Sequence, residues 1–388
     1  MRDTTTCFDV AIVGPGPVGA VAALAMAEKG FRVALVGPSS ARRDGRTVAL
    51  MDGSWRLLTG LGVTQALENE AAPLAMMRLV DDTGSLFRRP PTEFKAHEIG
   101  LDQFGWNVET VTLSATLLDA VAAEPAITRL ETAVASMRAD EHMAHLALAD
   151  GTMLNAKLVA GADGRRSVVR AAMGIAGKDW QYPQSALTTI IRHGRAHRDV
   201  STEFHTRSGP CTTVPLPGRR SSIVWMVTPP EGERLMALDD DALGMAIEQR
   251  THSILGAVTI DGPRGLVPMG GLSVERFTAP RTALIGEAAH VFPPIGAQGL
   301  NLGLRDVTAL VDAAQAHDPG AAEGLAAYER SRASDVRTRT GAVDALNRSL
   351  LSDLLPVDFA RGLGLLALDS LAPLRRFVMR QGLTPTGR

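Results

Sequence analysis

Cysteine is scarce in this chain. Cys7 and Cys211 are the only two in 388 residues, too few for a disulfide framework and without the spacing of a metal-ligand set. Neither crosslinks nor a structural metal is therefore expected, and a reducing cytoplasmic setting is the natural reading. Tyrosine is as rare, with Tyr182 one of two. No run of 18 apolar residues occurs, so a simple membrane-spanning helix is not expected. The first strand pattern begins within the first dozen residues, leaving no space for a secretory leader. The formal net charge is only -2, which argues against a nucleic-acid partner. The short basic pairs Arg42-Arg43 and Arg375-Arg376 read as solvated faces. What remains is a chain long enough for two domains, with 45% hydrophobic residues to fill their cores.

Two segments carry most of the information. Near the N-terminus, the apolar run Val10 to Val13 reads as a buried strand, followed by Gly14-Pro15-Gly16-Pro17-Val18-Gly19 and an Ala-rich helix, Ala20 to Lys29. In this spacing Gly14 permits the tight turn, Gly16 lets the backbone approach a pyrophosphate, and Gly19 lets the helix pack on the strand. Pro17 falls at the first helical position, where a missing N–H costs nothing. Phe31 to Val36 supplies the second parallel strand. The carboxylate expected there, on the adenosine ribose, is absent; Gly37 stands in its place, and Arg42 and Arg43 follow. Read alone, this end favours NADP over FAD, because an Arg near that position accepts a 2′-phosphate.

The second segment is Gly286-Glu287-Ala288-Ala289-His290 running into Pro293 to Gly303. Thr282 to Ile285 reads as a buried strand, the Pro/Gly cluster as a loop, and Leu300 to Leu310 as helix. A strand that feeds a glycine loop and a helix N-terminus gathers backbone N–H groups at one point, suited to electron-rich ligand atoms. An ordinary strand-to-helix turn has the same local pattern.

Together with Leu158 to Arg170, which contains Ala162-Asp163-Gly164, these segments resemble the motifs of class A FAD-dependent aromatic hydroxylases, with Glu287 in place of the usual Asp. Pro293 to Asn301 is similar to 4-hydroxybenzoate hydroxylase. Gly105 to Glu109, Arg46 within Asp44 to Leu50, and the tail around Asp344 to Arg348 are similar to the ubiquinone-biosynthesis hydroxylases of the UbiH and UbiF type. The motifs occur in the family's order along most of the chain.

The resemblance implies an α/β (α+β) protein. Its Rossmann-like FAD-binding domain would comprise 1–72, 104–176 and 281–345. An inserted antiparallel-sheet substrate domain would comprise 73–103 and 177–280, and a helical C-terminal segment 346–388. Strand-like runs at Leu187 to Arg192, Cys211 to Leu216 and Ser222 to Val227 agree with such a sheet. For the cofactor it assigns Gly14, Gly16, Pro17, Val18 and Gly19 to the FAD pyrophosphate. Arg46 goes to the pyrophosphate and ribityl region, Asp163 to the fold beside the cofactor, and Gly286 and Glu287 to the ribityl hydroxyls. Gly299, Leu300 and Asn301 border the isoalloxazine, and the Pro294 carbonyl faces the substrate hydroxyl. No metal is implied.

The implied activity is hydroxylation of an aromatic small molecule or a prenylated ubiquinone precursor through a flavin hydroperoxide, with NAD(P)H as reductant and dioxygen as co-substrate. Two readings stay beside it: another flavin or NADP oxidoreductase, such as a prenyl reductase, and a flavin-poor, non-catalytic member of a quinone-biosynthesis assembly. The second draws on Gly37, since one lost charge-assisted hydrogen bond weakens binding by about 1.5 to 3 kcal/mol. For the acid or base, His205 and His290 are the best-placed histidines, ahead of His97 and His193, and the residues alone assign none. The Leu- and Arg-rich stretch 350–380 suits either contact with an anionic membrane surface, peripheral to an inner membrane, or packing on its own domain, a homo-oligomer or a biosynthetic complex.

Overall fold

The computed structural model describes residues 6–38, 45–84, 90–292 and 298–350, together with 373, 375, 376 and 379. Continuous apolar runs mark strands covered on both faces. Val10 to Ile12 and Val33 to Val36 are accordingly sealed from solvent. They belong to strands Thr6–Val13 and Val33–Val36, parallel neighbours joined by helix Pro17–Glu28. The parallel sheet runs Ile127–Leu130, Val33–Val36, Thr6–Val13, Met153–Gly161, Thr282–Leu284. The first glycine loop thus leaves the carboxyl end of a central strand. The connecting helix is buried along Gly19 to Ala27, and its alanines let it lie close to the sheet.

A second sheet of nine strands has the order His290–Val291, Gly265–Val274, Gly177–His193, Arg220–Val227, Gly209–Leu216, Val200–Thr206, Met76–Asp81, Thr92–Lys95, with Val258–Ile260 added beside Gly177–His193. Its pairs are antiparallel except Val200–Thr206 with Met76–Asp81, which are parallel. Alternation along the strands divides its faces. Leu187, Phe204, Cys211 and Trp225 form one face, covered by helices Pro229–Met236 and Asp240–Arg250 through Leu235, Leu243 and Ile247. The opposite face turns toward the nucleotide-binding unit. It is held there by a small sheet of Thr47–Met51, Gly105–Glu109 and Ala71–Pro73. Thr47 Oγ1 lies 2.7 Å from Ser222 Oγ, Asn107 Nδ2 donates to the Pro215 carbonyl at 2.8 Å, and Arg220 pairs with Glu109 at 2.8 Å.

Besides two passages by way of the small sheet, the chain crosses between the two large sheets from Gly161 to Gly177, from Val274 to Thr278 and from Leu284 to His290. The last two crossings are short and bonded to each other: Leu284 N donates to Phe277 O at 2.8 Å and Val274 N to Ala289 O at 3.2 Å. Sheet membership therefore does not change at a single residue near 280. Thr278–Ala279 already belongs to the nucleotide sheet, and His290–Val291 returns to the other.

Most of segment 346–388 lies outside the described residues. Within it Arg375 pairs with Glu98 at 2.8 Å, and Met379 is buried against the cluster containing Phe94 and Phe104. No helix among the described residues is long and apolar enough to cross a membrane.

Candidate active site

The three glycines of the first loop are required for three different reasons. Gly14 has φ +109°, and a Cβ there would meet the Ala162 carbonyl at 2.3 Å. At Gly19 a Cβ would lie 1.8 Å from the Gly14 carbonyl oxygen, so only glycine lets the helix start so near the turn. Gly16 is the opposite case: no atom lies within 4 Å of its Cβ position. It is the N-cap of helix Pro17–Glu28 and offers no side-chain cap, so the first helical N–H groups are left for an outside acceptor. An open cradle before an uncapped helix fits a pyrophosphate.

The second glycine loop packs on the first. Gly286 is left-handed, with φ +61°, and the Val18 side chain fits between Gly286 and Gly303; Cβ atoms at those positions would meet it at 3.2 and 2.7 Å. Helix Gln298–Ala313 is thereby brought beside helix Pro17–Glu28. Asn301 fastens its first turn: Oδ1 accepts from Met51 N at 2.9 Å and Nδ2 donates to Ala49 O at 2.7 Å.

Behind this loop lies a buried charged network that sequence reasoning missed. Asp306, fully enclosed, accepts from Gly286 N at 2.8 Å and from His290 Nε2 at 2.7 Å through one carboxylate oxygen. Its other oxygen accepts from Arg332 Nε at 2.7 Å, and Arg332 Nη1 reaches Asp335 at 2.8 Å. Burial acts to lower the Arg332 pKa, but Asp306, Tyr328 and Asp335 outweigh it and the net direction is up. The nearby Tyr328 hydroxyl, donating to Leu284 O at 2.7 Å, is pushed well up by burial and by the Asp306 charge. The available signal was a carboxylate on the apolar helix stripe of Leu302 and Leu310. His290 thus serves this network and stacks on Phe292 at 5.4 Å.

On the sheet face turned toward the nucleotide unit, His205 Nε2 lies 2.6 Å from Glu203 Oε1, and Thr212 Oγ1 donates to Glu203 Oε2 at 3.3 Å. Spacing i, i+2 on a strand puts Glu203 and His205 on one face, a signal present in the sequence and not used there. The other histidines serve structure or surface. His193 is buried between Arg195 O and Ser221 Oγ, and His97 is exposed. Tyr182 packs with Ala186, Met226 and Met269.

The chain matches the FAD binding domain family over residues 7–340. It belongs to the FAD-dependent monooxygenase family. It is 36% identical to ubiquinone hydroxylase UbiL of Rhodospirillum rubrum, an alignment covering 97% of this chain and 89% of that one. It is 30% identical to the 3-demethoxyubiquinol 3-hydroxylase of Escherichia coli, over 97% and 98%. Among solved structures, Pseudomonas aeruginosa PqsL in complex with 2-aminobenzoylacetate superposes with a TM-score of 0.76 at 25% identity, over 89% of this chain and 97% of that one.

The expected cofactor residues of this monooxygenase fall as follows. Gly14, Gly16, Pro17, Val18 and Gly19 form the first loop, Gly286 and Glu287 the second, and Gly299, Leu300 and Asn301 the first turn of the helix after it. Glu287 is exposed between buried Gly286 and Ala288 and makes no hydrogen bond among the described residues, leaving its carboxylate open to ligand hydroxyls. Asp163 Oδ2 accepts from Val168 N at 2.6 Å and Val169 N at 3.1 Å, which fixes the turn beside Gly14. Arg46 borders a cavity of about 320 Å³ with Glu109, Thr112, Arg220 and Asp261. Pro294, Arg42 and Arg43 lie outside the described residues.

Gly37 also has a structural reason. Its φ is +136°, a Cβ would lie 2.8 Å from Pro15 Cδ, and Arg129 Nη2 holds its carbonyl at 2.5 Å. A side chain cannot enter this corner without strain, so no carboxylate stands there.

Proposed function

We propose that this monooxygenase hydroxylates the ring of a polyprenylated phenolic precursor of ubiquinone. The reaction consumes one dioxygen and one NAD(P)H, placing one oxygen atom on the ring and releasing the other as water. The observation that carries the reading is the open, uncapped glycine cradle, in a chain similar over nearly its whole length to two enzymes named for hydroxylating ubiquinone intermediates. Bound FAD would supply the transfer of electrons from NAD(P)H to dioxygen.

The protein's part is holding, orienting and drying. Gly14, Gly16 and Gly19 admit the pyrophosphate, Glu287 accepts from the ribityl hydroxyls, and Gly299 to Asn301 border the ring. Arg46 would hold the phosphate region. The sheet face with Ala186, Val224 and Met226 supplies an apolar wall that excludes water. A prenylated substrate resides in a membrane, so the enzyme would work peripheral to one.

The test is mass spectrometry of lipid quinones in a deletion strain, joined to assays of FAD-loaded protein under labelled dioxygen. Accumulation of an under-hydroxylated prenylated phenol, and label entering product with NAD(P)H consumed, are expected. Reduction of FAD without oxygen transfer would sink the hydroxylase reading. Gly37 favours a second reading, a flavin-poor member of a quinone-biosynthesis assembly. A purified protein with no flavin spectrum, and no thermal shift at saturating FAD, would select it.

A further inference from the structure

We propose that His205 is the proton acceptor for the phenolic hydroxyl of the substrate, with Glu203 fixing its tautomer. The inference rests on the hydroxylase reading above. It begins from register. Phe204 points into the helix-covered core, so its neighbours Glu203 and His205 point to the face turned toward the nucleotide unit. Across that face two adjacent rows can be traced. One joins Thr188, Val224, Thr212, Glu203 and Leu79, and the other pairs Ala186 with Met226, and His205 with Pro210 and Asp81. Val224 and Thr212 are half-buried, and Val267, opposite Ala186, is 38% exposed. The face that holds the dyad is therefore mixed, with Leu79, Val224, Ala186 and Met226 among its polar groups, and His205 itself is buried in it.

Chemistry then separates the two ring nitrogens. Nε2 is engaged by Glu203 at 2.6 Å. A carboxylate accepts, so it draws the ring proton to Nε2 and leaves the lone pair on Nδ1. Nδ1 makes no hydrogen bond among the described residues, although the side chain is more than nine-tenths buried. It is a buried acceptor without a donor among them, the place a donor from a bound molecule would fill. Thr212 holds the second Glu203 oxygen and so orients the carboxylate.

Among the described residues, the titratable groups paired with His205 and its neighbour Phe204 are few. Asp81, across on the neighbouring strand, accepts from Thr83 N and Oγ1 through one carboxylate oxygen. Cys211, on the helix-covered face, is a thiol pushed up by burial and by Glu203. Neither competes for the Nδ1 lone pair.

In the step, the phenol O–H bond breaks, its proton moves to Nδ1, and the freed electron pair enters the ring. The enriched ring carbon bonds to one oxygen of dioxygen, the other leaves as water with two electrons from NAD(P)H, and loss of the ring hydrogen as a proton restores aromaticity. A positioned acceptor of this kind contributes typically about 100-fold or more.

The experiment compares FAD-loaded wild type with His205→Gln and Glu203→Gln. It uses 2-geranylphenol as the turnover probe and 2-geranyl-4-nitrophenol, whose anion absorbs in the visible, as the binding probe. Wild type is expected to bind the nitrophenol as its anion at a pH where it is neutral in water. His205→Gln should bind it neutral and lose about 100-fold in kcat, with recovery as pH rises. Glu203→Gln should fall between. Circular dichroism and FAD titration establish that each variant is folded and loaded before its turnover is compared. If His205→Gln ionises the bound probe like wild type and keeps its pH profile, the proton-acceptor role is overturned while the hydroxylase reading stands. If wild type neither binds nor hydroxylates the phenols, both are overturned.

Discussion

Asp306 is the residue whose loss should cost this fold most for the smallest change in shape. Its carboxylate takes three donors on two oxygens: Gly286 N and His290 Nε2 on one, Arg332 Nε on the other. Asp306→Asn keeps the volume but leaves one oxygen. In one orientation the amide keeps Gly286 and His290 and turns its NH2 against the guanidinium; in the other it keeps Arg332 and opposes both remaining donors. Either way a donor faces a donor at a site with no solvent, and the buried Arg332 loses a charge partner. Removing one member of a buried pair costs about 3 to 5 kcal/mol, a large share of a typical folding free energy of about 5 to 15 kcal/mol. Urea unfolding of the FAD-free protein, followed by tryptophan fluorescence, would measure it. A loss below about 1 kcal/mol would refute the reasoning. Arg332→Met provides the internal check: with both charges gone the double variant should recover about 1 kcal/mol or more relative to the sum of the singles. Strict additivity would show that the two groups do not act on each other.

Three further outcomes follow from the geometry. Gly16→Ala, at φ -65° with nothing within 4 Å, should unfold like wild type while binding FAD about tenfold or more weakly by flavin-fluorescence titration, whereas Gly19→Ala should lose folding stability as well. Gly37→Glu, which looks like a repair of the missing ribose carboxylate, should instead destabilise by about 1 to 3 kcal/mol because of its left-handed backbone and the Pro15 ring; a stable variant with tighter FAD would contradict this. Burial holds the His193 imidazole below its ordinary 6.5, so the fold prefers the neutral ring, and its contribution is present above pH 6.5 and lost as pH falls below it. His193→Gln should therefore flatten the decline in melting temperature as pH falls below about 6.5.

The glycine spacing could be read from the sequence because each constraint is local: a turn, an approach, and a helix contact, all within six residues. The strands Leu187 to Arg192, Cys211 to Leu216 and Ser222 to Val227 were legible for the same reason, and the structure extends them to Gly177–His193, Gly209–Leu216 and Arg220–Val227. Of Val200–Thr206 only the place of His205 on a sheet strand was legible, which the structure bears out, because the Ser, Thr, Glu and His there obscure the alternation that would mark its ends. Helix Pro229–Met236 escaped because two prolines at its start read as a turn. Asp306 needed the fold: its partners lie 16, 20 and 26 residues away in the chain. The Glu203 partner of His205 lay in plain view, but only knowledge of which face is covered gives that pair a meaning. Gly37 looked like a loss; the structure shows a corner closed by Pro15 and bound by Arg129.

The two short crossings between the large sheets have a kinematic consequence. Val274 to Thr278 and Leu284 to His290 run side by side and are hydrogen-bonded to each other. At no more than about 3.6 Å per residue, neither can lengthen appreciably. They fasten one edge of the nine-stranded sheet, the edge at His290–Val291, while Thr92–Lys95 forms the opposite edge. The small sheet holds the middle of the same sheet through Thr47, Asn107 and Glu109, and Leu74, just before the Met76–Asp81 strand, is bonded to Gly105 and Phe104. Clamped at one edge, at its centre and near the other edge, the sheet is bound to move with the nucleotide-binding unit as one body.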